Sequence, residues 1–585
     1  MANFYSDNPD IQFNLEQLDL PALADLLEKN YSDADKFDFA PIDSSDAVEN
    51  YILVCNLAGE VCGTTIARRA RQIDLEGNVC ADGDVIYHPL VKENLRDFKQ
   101  AQLMGISLPR KSGGLNMPQV VKAAVLEMVS RADASLMNLV GLQDIAETII
   151  EFGTEEQKAE FVPILASGEG TGAMVLTEPD AGSDLQAVRL KAIPPESGDD
   201  SGTWQLNGVK RFITNGNGDI LLVQARSEEG TSDARGISLF VCHKDKTIQI
   251  RRIEEKLGIH GSPTCEMTFN NTPAYLIGKR KFGLIKYVMA LMNGARLGIA
   301  AQALGIAEAI YRDAREYAET RIQFNKPIID IPAVYEMLVK MKVNIEAGRL
   351  LVYNTAKVVD LYKIPQRQIE AAKQAGQPVD QELRRQAKYN ERLASVLTPF
   401  AKYFLSEMSN REAYNGIQIM GGSGFMKDYD MERLYRDARI TSIYEGTSQL
   451  QVVAAIGGLM SGALRPIFEE FINRDVPEHL SDLANQIKIL IPQLQEVVNH
   501  VRELKNSELS DLTAKRIVDM GIDFYISTLF LDAACDSEAK LNSTRIWIEE
   551  ASLRIETNYR AIMNNNFTIF DLHKQILGDD QVTSC

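Results

Sequence analysis

The 585-residue sequence predicts a mainly α-helical protein with one central β domain set between helical domains. Apolar residues recur at i, i+3, i+4 and i+7 from His88 to Gly172, and again after Lys281. From Met174 to about Gly278 the texture changes to short β-branched runs separated by Gly, Asn and Asp. A composition of 45% hydrophobic and only 7% aromatic residues is that of an ordinary, mainly helical globular chain with room for several cores.

Residues 1–85 read as an N-terminal helical appendage, with helical patterns near 20–27 and 48–71 and a turn cluster, GNVCADGD, at 77–84. Residues 86–172 form an N-terminal helical domain, divided by the Pro- and Gly-bounded loop PRKSGGLNMP (109–118). Within it Thr154-Glu-Glu-Gln157 has the pattern of a capping box. Residues 173–280 form the middle β domain, with AMVLTE, WQLNGVKRFIT, DILLVQAR, GISLFVC and CEMTFN as its strands. Helices return over 281–462. The first, long and continuous, carries Gly294, Gly298 and Gly305; each costs up to about 1 kcal/mol relative to alanine, so close packing or a ligand is expected there. The polar stretch 365–381 reads as an exposed insertion that interrupts the next helical pair. Residues 463–585 form a C-terminal helical appendage of three helical patterns. Its part from Arg465 onward holds 12 basic and 20 acidic residues, a net −8.

The net charge of the chain, −19, argues against nucleic acid as the main partner. Seven scattered cysteines without a C-x-x-C pair imply reduced thiols, and six histidines without H-E-x-x-H spacing give no metal site. The acidic, polar N-terminus is neither a secretory signal nor a transit peptide, QVTSC is no peroxisomal tripeptide, and no apolar run approaches the ~20 residues of a transmembrane segment. The expectation is a cytoplasmic protein.

Chemistry concentrates in five stretches. In DARITSIYEGTSQLQ (437–451), Glu445 sits in a small, hydroxyl-rich turn flanked by Ile440, Ile443, Leu450, Val452 and Val453. Among apolar neighbours its pKa should rise from about 4.3 toward neutrality, as a general base working near pH 7 requires. LTEPDAGSDLQAV (176–188) makes a tight turn around Pro179 and Gly182 whose backbone N–H groups and the hydroxyls of Thr177 and Ser183 suit an anion or a heteroaromatic edge. In KRFITNGNGD (210–219), Phe212 and Thr214 fall on one face of a regular strand, a flat ring beside a hydrogen-bonding group. RIQFNKP (321–327) offers Arg321 to a phosphate, and in IQIMGGSGF (417–425) Gly421 and Gly422 allow close approach of a backbone or an adenine ring. Each alone is equally a connecting turn or an edge strand.

In this order and spacing, TEPDAGSD, RFITNG, NGARLG, RIQFNKP, QIMGGSGF and IYEGTSQLQ closely resemble the acyl-CoA dehydrogenases, over about residues 90–455. The resemblance implies an acyl-CoA dehydrogenase-like fold: a helical domain, a middle β-barrel-like domain and a four-helix bundle, with FAD between the last two. It implies α,β-desaturation of an acyl-CoA thioester to the trans-2-enoyl-CoA, with Glu445 taking the α-proton and flavin N5 the β-hydride. In some relatives the base precedes the arginine of the long helix; here that residue is Ala295. Arg296 is expected to orient Glu445.

The same matching places Met174, Leu176, Thr177, Gly182, Ser183, Phe212, Ile213 and Thr214 along the flavin, with Thr214 near N5 and Phe212 in place of a more familiar tryptophan. Arg321, Gln323, Phe324, Gln418, Gly421 and Gly422 would reach the FAD of a neighbouring subunit, implying a homodimer, and Thr447 and Ser448 would touch the flavin side of the turn. Ser183, Asn293, Arg296, Tyr444, Glu445 and Gly446 would meet the substrate. Ile331-Pro332 stands where a His-Gln pair is often found, a departure at the adenine contact. Length and appendages resemble the roughly 600-residue branch that includes methylthiopropionyl-CoA dehydrogenases and broad-range bacterial fatty acyl-CoA dehydrogenases. Electron-transferring flavoprotein is the expected acceptor by family analogy. Rival readings are an acyl-CoA oxidase, a DNA-binding alkylation-response flavoprotein, disfavoured by the acidic C-terminal region, and an idle scaffold, disfavoured by retention of Glu445 and Arg296.

Overall fold

The structure, a computed structural model, describes residues 2–578. At 77–84, where the sequence suggests only a turn cluster, the chain forms a hairpin of β1 (Val79–Ala81) and β2 (Asp84–Ile86). Asp82 and Gly83 both take positive φ, which a two-residue hairpin turn of this hand needs. The hairpin leans on the middle domain, where Gly83 O accepts from the Ile250 N–H at 2.8 Å.

The middle domain comprises β3 (Gly172–Val175), β4 (Lys191–Ile193), β5 (Trp204–Thr214), β6 (Ile220–Arg226), β7 (Ile237–His243), β8 (Ile248–Ile253) and β9 (Thr264–Ile277). Pairing runs β6–β4–β5–β9–β7 and returns to β6, so the sheet closes into a barrel, with β3 added beside β6 and β8 beside β9. Closure removes the exposed edges an open sheet would present. β6 and β7 are buried on both faces: Leu221, Val223 and Phe240 point into the barrel with Trp204, and Leu222, Leu239 and Val241 pack on the N-terminal helices with Phe161. That explains why these strands read as continuous apolar runs.

β5 departs from the expected regular strand. Its register with β9 slips between Lys210 and Ile213, and Phe212 has φ +60°. The bulge breaks strict alternation. Phe212 therefore stands exposed with the Arg211 guanidinium 4.6 Å over its ring, Ile213 is buried, and only Thr214 turns toward the interior cavity described below.

The four bundle helices are Met289–Thr320, Pro332–Gln374, Gln381–Met420 and Ser448–Met460. The long first helix begins as a π-helical segment, Gly283–Val288, before becoming regular. Gly305 is a packing glycine, since a Cβ there would lie 2.2 Å from Glu127 O of the crossing helix Gln119–Ala132. The expected insertion is largely helical. Pro365 lies inside the second helix, buried beside Ile364 and Ile369, and the chain turns only over residues 375–380. Packing of this apolar face offsets the hydrogen bond lost at proline. Among the described residues one unbroken helix, Gly283–Thr320, is long and apolar enough to cross a membrane, contrary to the expectation from run length alone. It is the bundle's central helix, apolar on several faces because helices pack on several sides of it.

The C-terminal segment holds helices at Arg465–Asn473, Ser481–Leu504, Ser507–Asp536, Glu538–Met563 and Thr568–Leu577, more than the three patterns read from sequence. One continuous core runs from Phe4 and Tyr5 through Val120, Leu304 and Phe400 to Trp547 and Ile562, so both appendages share the core of the bundle. The capping box at Thr154 and Gln157 is present, with both reciprocal bonds made.

Candidate active site

The turn between helices Met431–Ile440 and Ser448–Met460 carries Glu445 at φ +52° and Gly446 at φ +88°. Gly446 takes this conformation freely, but for Glu445 it is costly unless the surroundings hold it. At Gly446 a Cβ would meet Gln451 Nε2 at 2.7 Å, and that amide donates to the carbonyls of Glu445 (3.1 Å) and Gly446 (2.9 Å). The third bundle helix supplies the rest. Lys402 Nζ donates to Gly446 O at 2.7 Å, Ser406 Oγ to Thr441 O at 2.8 Å, and Asn410 Nδ2 to Ala438 O at 3.0 Å. Positions 402, 406 and 410 lie at i, i+4 and i+8, one polar stripe along the helix. None of the three was singled out from the sequence, although the signal was that stripe.

Tyr444 is anchored on the opposite side. Its hydroxyl donates to Gln302 Oε1 and lies 3.2 Å from Asn138 Oδ1, while Gln302 Nε2 donates to Asn138 Oδ1 (3.0 Å) and Ala134 O (2.9 Å). Tyr444 thus holds the turn in place by its hydroxyl.

Glu445 faces a cavity of about 60 Å³ that is also lined by Met174, Thr214, Ala295, Gly298 and Ile299. Burial of its carboxylate pushes the pKa up to about 7, against the lowering effect of Lys402 and then Arg296. Burial likewise brings Lys402 down to about 7, opposed by Glu445. Arg296 is buried, and burial lowers its pKa while Glu445 raises it. Its Nη1 donates to Asn293 Oδ1 at 3.0 Å, and its buried Nε has no partner among the described residues. A carboxylate with a pKa near 7, two cations beside it and a mostly apolar cleft in front of it has the properties of a general base.

The remaining expected residues separate into groups. Met174 and Thr214 share the cavity with Glu445 and Tyr444. Leu176 is buried and its carbonyl accepts from Lys210 Nζ at 2.7 Å, and Thr177 O accepts from the Arg211 N–H at 3.0 Å. Gly182 and Ser183 lie exposed on the same loop, with open space where a Gly182 Cβ would stand. Thr447 spends its hydroxyl on capping the next helix at Leu450 N, and Ser448 is buried with its hydroxyl on Glu407. Ser448 is therefore turned into the bundle, away from the cavity. Arg321, Gln323 and Phe324 sit on the exposed hairpin of β10 (Ile322–Gln323) and β11 (Lys326–Pro327). Gln418, Gly421 and Gly422 are exposed, with open space beside both glycines. The Tyr317 hydroxyl, at 3.1 Å from Ser423 Oγ, ties these two groups to one face.

These features suit FAD. Thr214 and Met174 beside Glu445 would take the isoalloxazine edge, and the open glycines with Arg321 suit a diphosphate and an adenine.

Family models described as the N-terminal, middle and C-terminal domains of acyl-CoA dehydrogenase match residues 55–169, 173–272, and 285–388 with 384–456. A further model, described as acyl-CoA dehydrogenase C terminal, matches 461–572. The chain is 34% identical to the 3-methylmercaptopropionyl-CoA dehydrogenase of Ruegeria pomeroyi, over 68% of each chain. It is 36% identical to an acyl-CoA dehydrogenase of Bacillus subtilis, over 62% of this chain and 87% of that one. Butyryl-CoA dehydrogenase of Megasphaera elsdenii superposes with a TM-score of 0.59 at 32% identity, covering 70% of this chain and 98% of that one. An FAD-complexed acyl-CoA dehydrogenase from Bacillus anthracis, 22% identical, shares the fold over 88% of both chains with a TM-score of 0.73. The chain belongs to the acyl-CoA dehydrogenase family and is an FAD-dependent oxidoreductase of acyl-CoA thioesters.

Proposed function

We propose that Glu445 is the base that removes the α-proton of the thioester, giving the trans-2-enoyl-CoA. The observation that carries this is its position: an anchored, half-buried carboxylate with a pKa near 7, facing the same cavity as Thr214 and Met174. FAD, when bound, supplies the hydride acceptor. This chain's own residues do the rest. Lys402 and Gln451 fix the turn so that the Glu445 backbone N–H and carboxylate keep a set relation, and a fixed N–H is the kind of donor that stabilises a developing enolate oxygen. Arg296 and Lys402 keep the carboxylate from being neutralised outright by burial. The apolar walls exclude water from the acidic α-carbon. Ser183 and Asn293, both exposed, suit the CoA portion outside the cavity.

Arg321, Gln323, Phe324, Gln418, Gly421 and Gly422 are read as a contact to the FAD of a second copy, making a homodimer. Their joint exposure, with Phe324 at 86% and Phe425 at 71%, supports this. Electron-transferring flavoprotein is the proposed acceptor. A solved relative described with the electron transferring flavoprotein of Acidaminococcus fermentans, 31% identical, supports it. The proposed location is the cytoplasm.

The test is an anaerobic titration of purified holoenzyme with acyl-CoAs, beside Glu445→Gln. The flavin of the wild type is expected to bleach, and that of the variant to stay oxidised with kcat down roughly 10²–10⁴-fold, the usual contribution of a positioned base. A Glu445→Gln enzyme that bleaches at the wild-type rate would remove Glu445 from the role.

A further inference from the structure

The cavity before Glu445 ends at two side chains, Leu126 and Asp144, that also line a second void of about 10 Å³ on their far side. That second void is bounded by Phe98, Leu103, Met104 and Val125. Leu126 and Asp144 are therefore a partition between two spaces.

The partition is braced. Asp144 is paired with the buried ammonium of Lys122, which also donates to Ser107 Oγ at 3.3 Å and Glu147 Oε1 at 3.4 Å, and Glu147 is held in turn by Lys363 Nζ at 2.8 Å. Moving Asp144 aside would leave Lys122 facing fewer anions in a buried place, and breaking such a pair by displacing one partner is strongly unfavourable. A hydrocarbon tail gains nothing from meeting a carboxylate. The wall is therefore stiff and chemically unwelcoming to a longer apolar chain.

The space on the Glu445 side is small. At about 60 Å³ it is less than half the roughly 150 Å³ of an engineered cavity that binds benzene. Gly298 marks the width, since a Cβ there would come 3.3 Å from Met137 Cε and 3.7 Å from Leu126 Cδ1. Glycine in the middle of a helix leaves room here that any side chain would take.

We infer that the enzyme selects short acyl chains, about the size of a butyryl group, and that Leu126 together with the Lys122-braced Asp144 sets that length. The inference rests on the proposed dehydrogenase reading of the Glu445 cavity.

The experiment is a chain-length series on purified holoenzyme, using butyryl-, hexanoyl-, octanoyl- and palmitoyl-CoA. Calorimetry of trans-2-butenoyl-CoA against trans-2-octenoyl-CoA, products that bind without turnover, accompanies it. In the wild type kcat/KM is expected to fall at least about 100-fold from butyryl to octanoyl, since one unaccommodated methylene already costs roughly tenfold or more. The octenoyl product should bind correspondingly more weakly. Leu126→Ala, which joins the two voids, should raise the octanoyl-to-butyryl ratio at least about tenfold. Gly298→Ala should depress butyryl-CoA turnover with flavin content intact. A wild type that uses octanoyl- or palmitoyl-CoA as well as butyryl-CoA overturns the inference. Should Leu126→Ala fail to fold, the wild-type series and the two product affinities decide. If no thioester bleaches the flavin, the dehydrogenase reading falls, while the order of the product affinities still decides the chain length.

Discussion

Asp10 and Lys540, 530 positions apart in the chain, form an ion pair in the interior of the molecule. Around it Arg349, fully buried, pairs with Asp10, Glu127 (2.6 Å) and Glu308 (2.9 Å), and Lys540 pairs with Glu346 (2.9 Å). One charge network thus joins the N-terminal appendage, the N-terminal helical domain, the bundle and the C-terminal appendage. Burial raises the Asp10 carboxyl, but Arg349 and Lys540 override this and hold it well below the usual carboxylate range.

Replacing Arg349 by methionine would leave Glu127 in the core without its cation, and would leave Asp10 to Lys540 and Glu308 to Arg312. The expected cost is at least about 3–5 kcal/mol, the size seen when one partner of a buried pair is removed. Urea unfolding monitored by circular dichroism would show it as a lower midpoint. A midpoint within error of wild type would mean that water or rearrangement neutralises Glu127.

Lys402→Met tests whether the buried ammonium tunes the base. Glu445 acts ionised, so kcat/KM should fall as pH drops through its pKa of about 7. Removing Lys402 takes away the stronger of two lowering cations, and the acid limb should move up by about 1–3 pH units. Lys402→Arg should restore much of the profile, if its guanidinium still reaches the carbonyl of Gly446. A role confined to packing would lower kcat/KM at every pH without moving the limb.

His260 ties three domains, lying 3.0 Å from Asp74, which in turn bonds Arg436 at 2.6 Å. Its hydrogen bond to Asp74 raises the imidazole pKa from 6.5 to about 9, against the effect of burial. A raised folded-state pKa contributes stability that is complete below about pH 6.5 and is lost as pH climbs through about 9. The thermal midpoint should therefore decline between pH 6.5 and 9 in the wild type, and less steeply in His260→Gln. Parallel curves for the two proteins would refute the assignment.

Phe324, the most exposed large apolar side chain among the described residues at 86%, sits on the β10–β11 hairpin beside Arg321. Phe324→Glu should halve the mass seen by light scattering and lower FAD retention together. Monomer formation with flavin fully retained would separate the two roles.

Much of the site was legible because it is local. YEGTSQ is contiguous in the chain, whereas the burial that raises the pKa of Glu445 comes from Leu126, Met137 and Ile299 across the fold, and the flanking Ile443 and Val453 lie exposed. The strand and helix textures likewise marked the barrel and the bundle. What escaped was set by contacts across the fold. The bulge at Phe212 depends on the register between β5 and β9, which no property of RFIT reveals. Lys402, Ser406 and Asn410 matter because of the turn they meet, 28 to 44 residues onward. Pro365 stays inside its helix because it is buried beside Ile364 and Ile369, a packing that the local sequence does not display.

The charge network around Arg349 also imposes an order on biosynthesis. Asp10 leaves the ribosome among the first residues, whereas the lysine that shares it arrives 530 residues later. Domains of a nascent chain fold as units, N-terminal first. Here Asp10 can meet Arg349, and Glu346 can meet Lys342, before Lys540, the second cation of both acids, has been made. The network is therefore completed from the far end, and a chain that stops before residue 540 carries one buried cation fewer beside Asp10 and Glu346.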